Sequence, residues 1–208
     1  MDVPVTGKNG QLTNRKRAVI RAAQTWNALG KRLQFVGHGG DELRFPEPYK
    51  EVRKADNNRV YLHYCQRTRG ANKVPVSMVF WEPLPSSYGF TRLGEASTCL
   101  GYDDYRPWKF FLAINSTVNW YAGESANVPG APGDAGAQSD LQGAATHEFG
   151  HATGWVPHYD DTKKVATNAD CAPTSPNRET MCAFATPGTA WARTLGSHDK
   201  HTFRAAYP

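Results

Sequence analysis

Within a chain of 208 residues, the run Thr146-His147-Glu148-Phe149-Gly150-His151-Ala152-Thr153-Gly154-Trp155-Val156-Pro157-His158 restricts the fold more than any other stretch. On an α-helix, His147 and His151 stand about one turn apart, so both imidazoles leave one face and can grip one metal ion. Glu148 lies about one hundred degrees round the same helix, within reach of a water at that ion without being a ligand. This is the residue pattern that zinc-assisted amide hydrolysis requires. The plainer reading of the same residues is a buried helix carrying two hydrogen-bonded histidines. The neighbours favour the metal. Ser139-Asp140-Leu141-Gln142 reads as a capping box with Ser139 as N-cap, and a helix from about Asp140 to Thr153 is expected to follow. Gly154 sits where a left-handed residue would end that helix and turn the chain. His158 would then swing back toward the ion.

His-Glu-x-x-His-x-x-Gly, a further ligand soon after and a downstream methionine resemble the metzincin clan of zinc endopeptidases, whose usual spacing ends in Gly-x-x-His or Asp. Here Pro157 occupies that last place and has no side-chain donor atom. His158, one residue later, is the expected third ligand. Asp160 is the alternative, because small secreted bacterial metzincins of the snapalysin type use an aspartate and His158-Tyr159 is similar to their His-Tyr. Glu179-Thr180-Met181-Cys182-Ala183, with Met181 23 residues past His158, resembles the methionine-turn that underlies the metal. The competing reading of Met181 is an ordinary core methionine filling a gap.

The resemblance implies one catalytic Zn2+ held by His147, His151 and His158, leaving a fourth position for water. It implies Glu148 as the general base that takes a proton from that water and delivers it to the leaving amine. Tyr159 is a candidate for stabilising the oxyanion. Gly94, Glu95 and Ala96, on an edge strand spanning Leu93–Ser97, would bind an extended substrate by β-augmentation. Residues Ala183–Arg193 would wall a primed-side pocket.

The fold class expected is α+β and metzincin-like: a mixed β-sheet with two long helices, plus a smaller, mostly irregular C-terminal subdomain ending in a helix. A first helix is expected from about Asn14 to Leu29, with Val19, Ile20, Ala23, Trp26 and Leu29 on one stripe and Gly30 as its stop. Strands are expected at Leu33–Val36, Arg59–Cys65, Pro75–Trp81 and Lys109–Asn115. Ala122–Gln138, rich in Gly, Ala and Pro, reads as a long surface loop. Ser197 would N-cap a final helix over Lys200–Tyr207. Residues 1–208 are read as one catalytic domain, with an upper subdomain over about 1–154 and a lower one over about 155–208.

Four cysteines and no Cys-x-x-Cys pair argue against a zinc knuckle. Three pairings are open; Cys171–Cys182 with Cys65–Cys99 is the most economical, and the first of these would fix the loop beneath the metal. Bridges imply an oxidising compartment, so the chain is read as secreted and extracellular. Met1–Gln11 is polar and no run reaches the ~18 apolar residues of a membrane span. The net charge of +5 favours adsorption to acidic polymers without naming one. The basic residues Arg15, Lys16, Arg17, Arg21 and Lys31 are read as a solvated helix face rather than a nucleic-acid site, since no aromatic platform is interleaved with them. The expected partner is a protein or peptide substrate, and a monomer is expected. Two adjacent aspartates in Tyr102–Tyr105 give only weak grounds for a Ca2+ ion. Two other functions remain open: a zinc hydrolase of aspzincin type using Asp160, and a secreted binding module with a structural zinc and no turnover.

Overall fold

Two helices packed face to face, with alanines along their buried sides, form the centre of the protein. The computed structural model describes residues 14–30, 33, 35, 78–86, 91–100, 107–132, 134–154, 156, 158, 171, 178–183 and 185–208. Helix α1 runs Asn14–Asn27, two residues shorter than the pattern suggests. Its fully buried positions are Ala18, Ala22 and Trp26, while Ile20 is 36% exposed. The expected stripe was therefore placed slightly off. Alanines at a four-residue spacing let α1 approach the helix it packs against, and Ile20 falls outside that seam. Val19, Ala23 and Leu29 still pack against the core from its border. Beyond the helix, the Asn27 side chain both donates to Phe35 O (2.9 Å) and accepts from Phe35 N (2.7 Å), which pins the departing chain.

Three strands form a mixed sheet in the order β1-β3-β2. Strand β1 (Met78–Glu82) runs parallel to β3 (Pro107–Asn115), with Phe80 opposite Ala113. Strand β2 (Gly94–Leu100) is antiparallel to β3, with Gly94 opposite Ile114 and Ala96 opposite Leu112. Among the described residues β2 is an edge, as expected, and extends three residues past Ser97. Leu33 and Phe35 lie in no strand, and Arg59–Cys65 is outside the described residues. Leu112 and Ile114 are fully buried between sheet and helices. Buried Asn115 ties the sheet's end together: its Oδ1 accepts from Leu84 N and Thr117 N, its Nδ2 donates to Arg92 O, and its carbonyl accepts from Trp120 Nε1.

A two-residue pair, β4 (Trp120–Tyr121) with β5 (Ser139–Asp140), closes the irregular 122–138 stretch and delivers the chain to helix α2 (Leu141–Ala152). Here the N-cap is Asp140 rather than Ser139: Asp140 Oδ2 accepts from Gly143 N at 2.9 Å. Both residues belong to the short β5 pairing, and it is Asp140, an equally good cap directly preceding the first helical residue, whose side chain meets the Gly143 N–H. The C-terminal helix α3 spans Ser197–Ala206 and starts three residues before the expected Lys200, with Gly196 as N-cap in place of Ser197. A 3-10 turn at Trp191–Arg193 precedes it. The fold is thus mixed α+β with three α-helices among the described residues and small sheets.

Candidate metal centre

Helix α2 carries His147 and His151 on one face, as their spacing requires. At its end, Gly154 takes φ +80, the left-handed conformation open to glycine, and its N–H bonds His151 O at 2.8 Å. The chain then doubles back and brings His158 to the two helical histidines. Its Nε2 lies 2.9 Å from Nε2 of both His147 and His151. These three nitrogens form a group that can hold a metal ion. The late histidine is therefore within the cluster despite Pro157, while Tyr159, Asp160 and the Tyr102–Tyr105 aspartates lie outside the described residues.

The donor chemistry fits a metal. His147 Nδ1 bonds the carbonyl of Thr180 at 2.8 Å, and His151 Nδ1 bonds the carbonyl of Val156 at 3.1 Å. A carbonyl only accepts, so each Nδ1 carries the proton and each Nε2 keeps its lone pair. Lone pairs converging at 2.9 Å repel one another unless a proton or a cation lies between them. Enclosure of the ring, with His151 and His158 close by, holds the His147 imidazolium well below the usual histidine range, despite the opposing bond to Thr180. Protonation is thus disfavoured at the position where a cation is favoured. Tetrahedral ligands at ~2.0–2.1 Å from zinc stand about 3.3 Å apart, close to the separations seen here.

Beneath the cluster, Met181 is completely buried and its Sδ would lie 2.2 Å from a Cβ placed on Gly150. Glycine at 150 is therefore what allows the Met181 turn to sit against the helix. Trp26 closes the same spot, with Cζ2 2.8 Å from that Cβ position and Nε1 donating to Thr146 O at 2.8 Å. The turn is fixed by two buried carboxylates that reach in opposite directions. Asp199, from the first turn of α3, accepts from Thr180 N (2.8 Å), Met181 N (3.3 Å) and Gly196 N (2.9 Å). Glu179 accepts from His198 N (3.0 Å) and Asp199 N (3.1 Å), capping α3 in return. Cys171 and Cys182 are joined in a disulfide, Cα atoms 5.4 Å apart, which ties down the turn's far side. Cys65 lies outside the described residues, and the second expected bridge with it.

Glu148 is buried at 6% exposure and points toward β2. Burial chiefly, with Glu95 adding and Arg92 and the Ala96 backbone opposing, pushes its carboxyl up to about 8. A dication at the histidine cluster acts in the opposite direction and favours the carboxylate. Gly94, Glu95 and Ala96 are half-buried on this strand, and Arg92 pairs with Glu95 at 2.8 Å. Thr98 Oγ1 donates to His151 O at 3.1 Å, so the edge strand also steadies the helix end. The 185–192 segment does meet α2. Between them lies a cavity of about 10 Å³, bordered by Leu93, Gly143, Ala144, Ala185, Thr186 and Ala192.

Sequence reasoning gave no role to the side chains of Asp199, Glu179, Thr98 or Arg193. The Arg193 guanidinium grips Asp140 through two bonds, at 2.8 and 2.7 Å, and reaches Gly123 O and Glu124 O. Two residues of the α1 basic face are likewise engaged within the protein. Arg15 stands 5.1 Å over the Trp81 ring, and Arg21 bonds Gln142 and Glu124. A scan against protein-family models and a search of curated proteins find no match to this chain.

Proposed function

We propose that the protein is a secreted zinc-dependent endopeptidase of metzincin type, with His147, His151 and His158 as ligands and Glu148 as general base. The observation that carries this reading is the pairing of a three-imidazole cluster, two of whose rings are oriented by backbone carbonyls, with a buried glutamate one residue from the first ligand. A purely structural zinc site is closed by four protein ligands and has no use for such a base. Zinc held here supplies a Lewis acid that acidifies water and polarises a peptide carbonyl. Glu148 accepts a proton at its carboxylate and returns it to the departing amine. Gly94, Glu95 and Ala96 present an edge to which an extended peptide adds as a further strand. Tyr159 is assigned to the oxyanion.

The disulfide between Cys171 and Cys182 supports an extracellular setting. No described helix is long and apolar enough to cross a membrane. The test is metal analysis together with casein cleavage, with and without phenanthroline, for wild type and Glu148→Gln. One zinc per chain in both proteins and chelator-sensitive cleavage in wild type alone are expected. Undiminished cleavage by Glu148→Gln would sink the assignment.

A further inference from the structure

Gly94 is the first residue of edge strand β2, and it is a glycine for a reason other than backbone freedom. Its φ is not among the positive values of this chain, which occur at Gly130, Gly154 and Gly188 among the described residues. An L-residue is therefore compatible with the backbone at this place. What a side chain lacks there is room. A Cβ on Gly94 would lie 2.6 Å from Cγ, 2.7 Å from Oε1 and 2.9 Å from Cδ of Glu148. Real Cβ atoms essentially never approach that closely. The three nearest atoms all belong to one movable side chain.

The strand's register explains the arrangement. Leu93 O accepts from Asn115 N, so Leu93 turns its polar groups toward β3 and its alternate neighbours Gly94 and Ala96 turn theirs to the free edge. The Ala96 backbone stabilises the charged Glu148 carboxyl from that edge. Gly94 and Ala96 thus meet Glu148 together, one by offering space and the other by offering a polar group. Arg92 and Glu95 pair alongside at 2.8 Å.

We propose that Gly94 is a positioning residue for Glu148: the missing side chain is the space in which the glutamate stands, and filling it displaces the carboxyl from its place against strand β2 without unfolding the protein. This rests on the hydrolase reading given above as far as turnover is concerned, and on packing alone otherwise. It is additional to the backbone role of Gly94 at the proposed substrate edge, which acts through main-chain groups and not through the space beside its Cα.

The experiment has two independent arms. In the first, kcat and KM for a peptide substrate and zinc content are measured for wild type and Gly94→Ala. Zinc content is expected to stay at one per chain, KM within about twofold, and kcat to fall about 100-fold, the scale of an ångström-sized misplacement. A raised KM with kcat unchanged would assign Gly94 to the groove and overturn the proposal, as would kcat within twofold of wild type. The second arm needs no turnover. The melting temperature is compared for Gly94→Ala in the wild-type and Glu148→Ala backgrounds. A drop of about 2–4 °C is expected in the first. No drop, or a small rise, is expected in the second, where the space has been vacated and alanine stiffens the unfolded chain. Equal drops in both backgrounds would mean that Gly94 does not answer to Glu148. A wild-type protein without chelator-sensitive cleavage would defeat the hydrolase reading, while the thermal comparison would still decide the contact.

Discussion

His147 is oriented for metal binding by groups that lie outside the three-imidazole cluster. Thr180 O fixes its tautomer, enclosure keeps it neutral, and Met181 occupies the floor left open by Gly150. Two predictions belong to single residues. Gly150→Ala places a methyl against Met181 Sδ and 2.8 Å from Trp26, two side chains that are both fully buried. Overpacking of this kind costs about 1–3 kcal/mol, to be read as a lower urea midpoint at unchanged slope. An unchanged midpoint would mean that the turn and helix separate easily. The second concerns the late histidine. His158→Ala removes one of three converging nitrogens and should weaken zinc binding by more than the ~10–100-fold typical of groups behind the ligands. Asp160→Ala should weaken it less. Competition titration with a chromophoric chelator ranks the two, and the reverse order would hand the ligand role to Asp160.

Helix α2 is held at both ends and from below, and the contrast between these supports shows what local sequence can reveal. Its start and stop were legible: Ser-Asp-Leu-Gln marked the cap to within one residue, and Gly154 marked the turn because only its own conformation was at issue. The cysteine pair bordering the Met181 turn was legible from spacing, and so were the β3 strand and the edge strand β2. The stabilising carboxylates were not. Asp199 bonds backbone groups 18 and 19 residues away, and Arg193 grips Asp140 across 53. No periodicity or motif links such partners; they meet only once the chain has folded. Likewise Ile20 looked like core because it is apolar, yet the seam selects small alanines instead. The Asp199 network yields a prediction for the element. Asp199→Ala leaves three backbone N–H groups without their acceptor, and each buried orphan costs about 1–3 kcal/mol, so a loss of at least about 2 kcal/mol is expected. Asp199→Asn keeps an oxygen for Thr180 N and Gly196 N, both bound by Oδ2, and sacrifices only the longer Met181 bond. It should recover most of the stability in denaturant unfolding. Equal damage from both substitutions would mean that charge, not acceptance, fixes the turn.

At the scale of the whole molecule, metal, fold and pH are expected to form one linked system. The α1–α2 seam, the sheet and the disulfide frame the three converging imidazoles. Zinc taken up at this cluster would stabilise the native state by mass action, about 2.7 kcal/mol at a hundredfold excess over Kd. For a chain of this size that corresponds to roughly 5–10 °C in melting temperature. Acid should erode both contributions, and the sign follows from His147. Its folded value lies well below its unfolded one of about 6.5, so between the two the unfolded chain binds a proton that the folded chain refuses. The stability this provides is fully present above pH ~6.5 and is lost as pH falls toward the folded value. Zinc needs the same unprotonated nitrogens, so its own increment shrinks over the same acid range. Melting temperatures taken with EDTA and with excess zinc, at pH 7.5 and 5.5, test this directly. The EDTA curve should drop on acidification, and the zinc-to-EDTA gap should narrow. A gap that is absent at pH 7.5 would remove the metal from the site. A gap of equal size at both pH values would show that the ion is held by groups other than His147, His151 and His158.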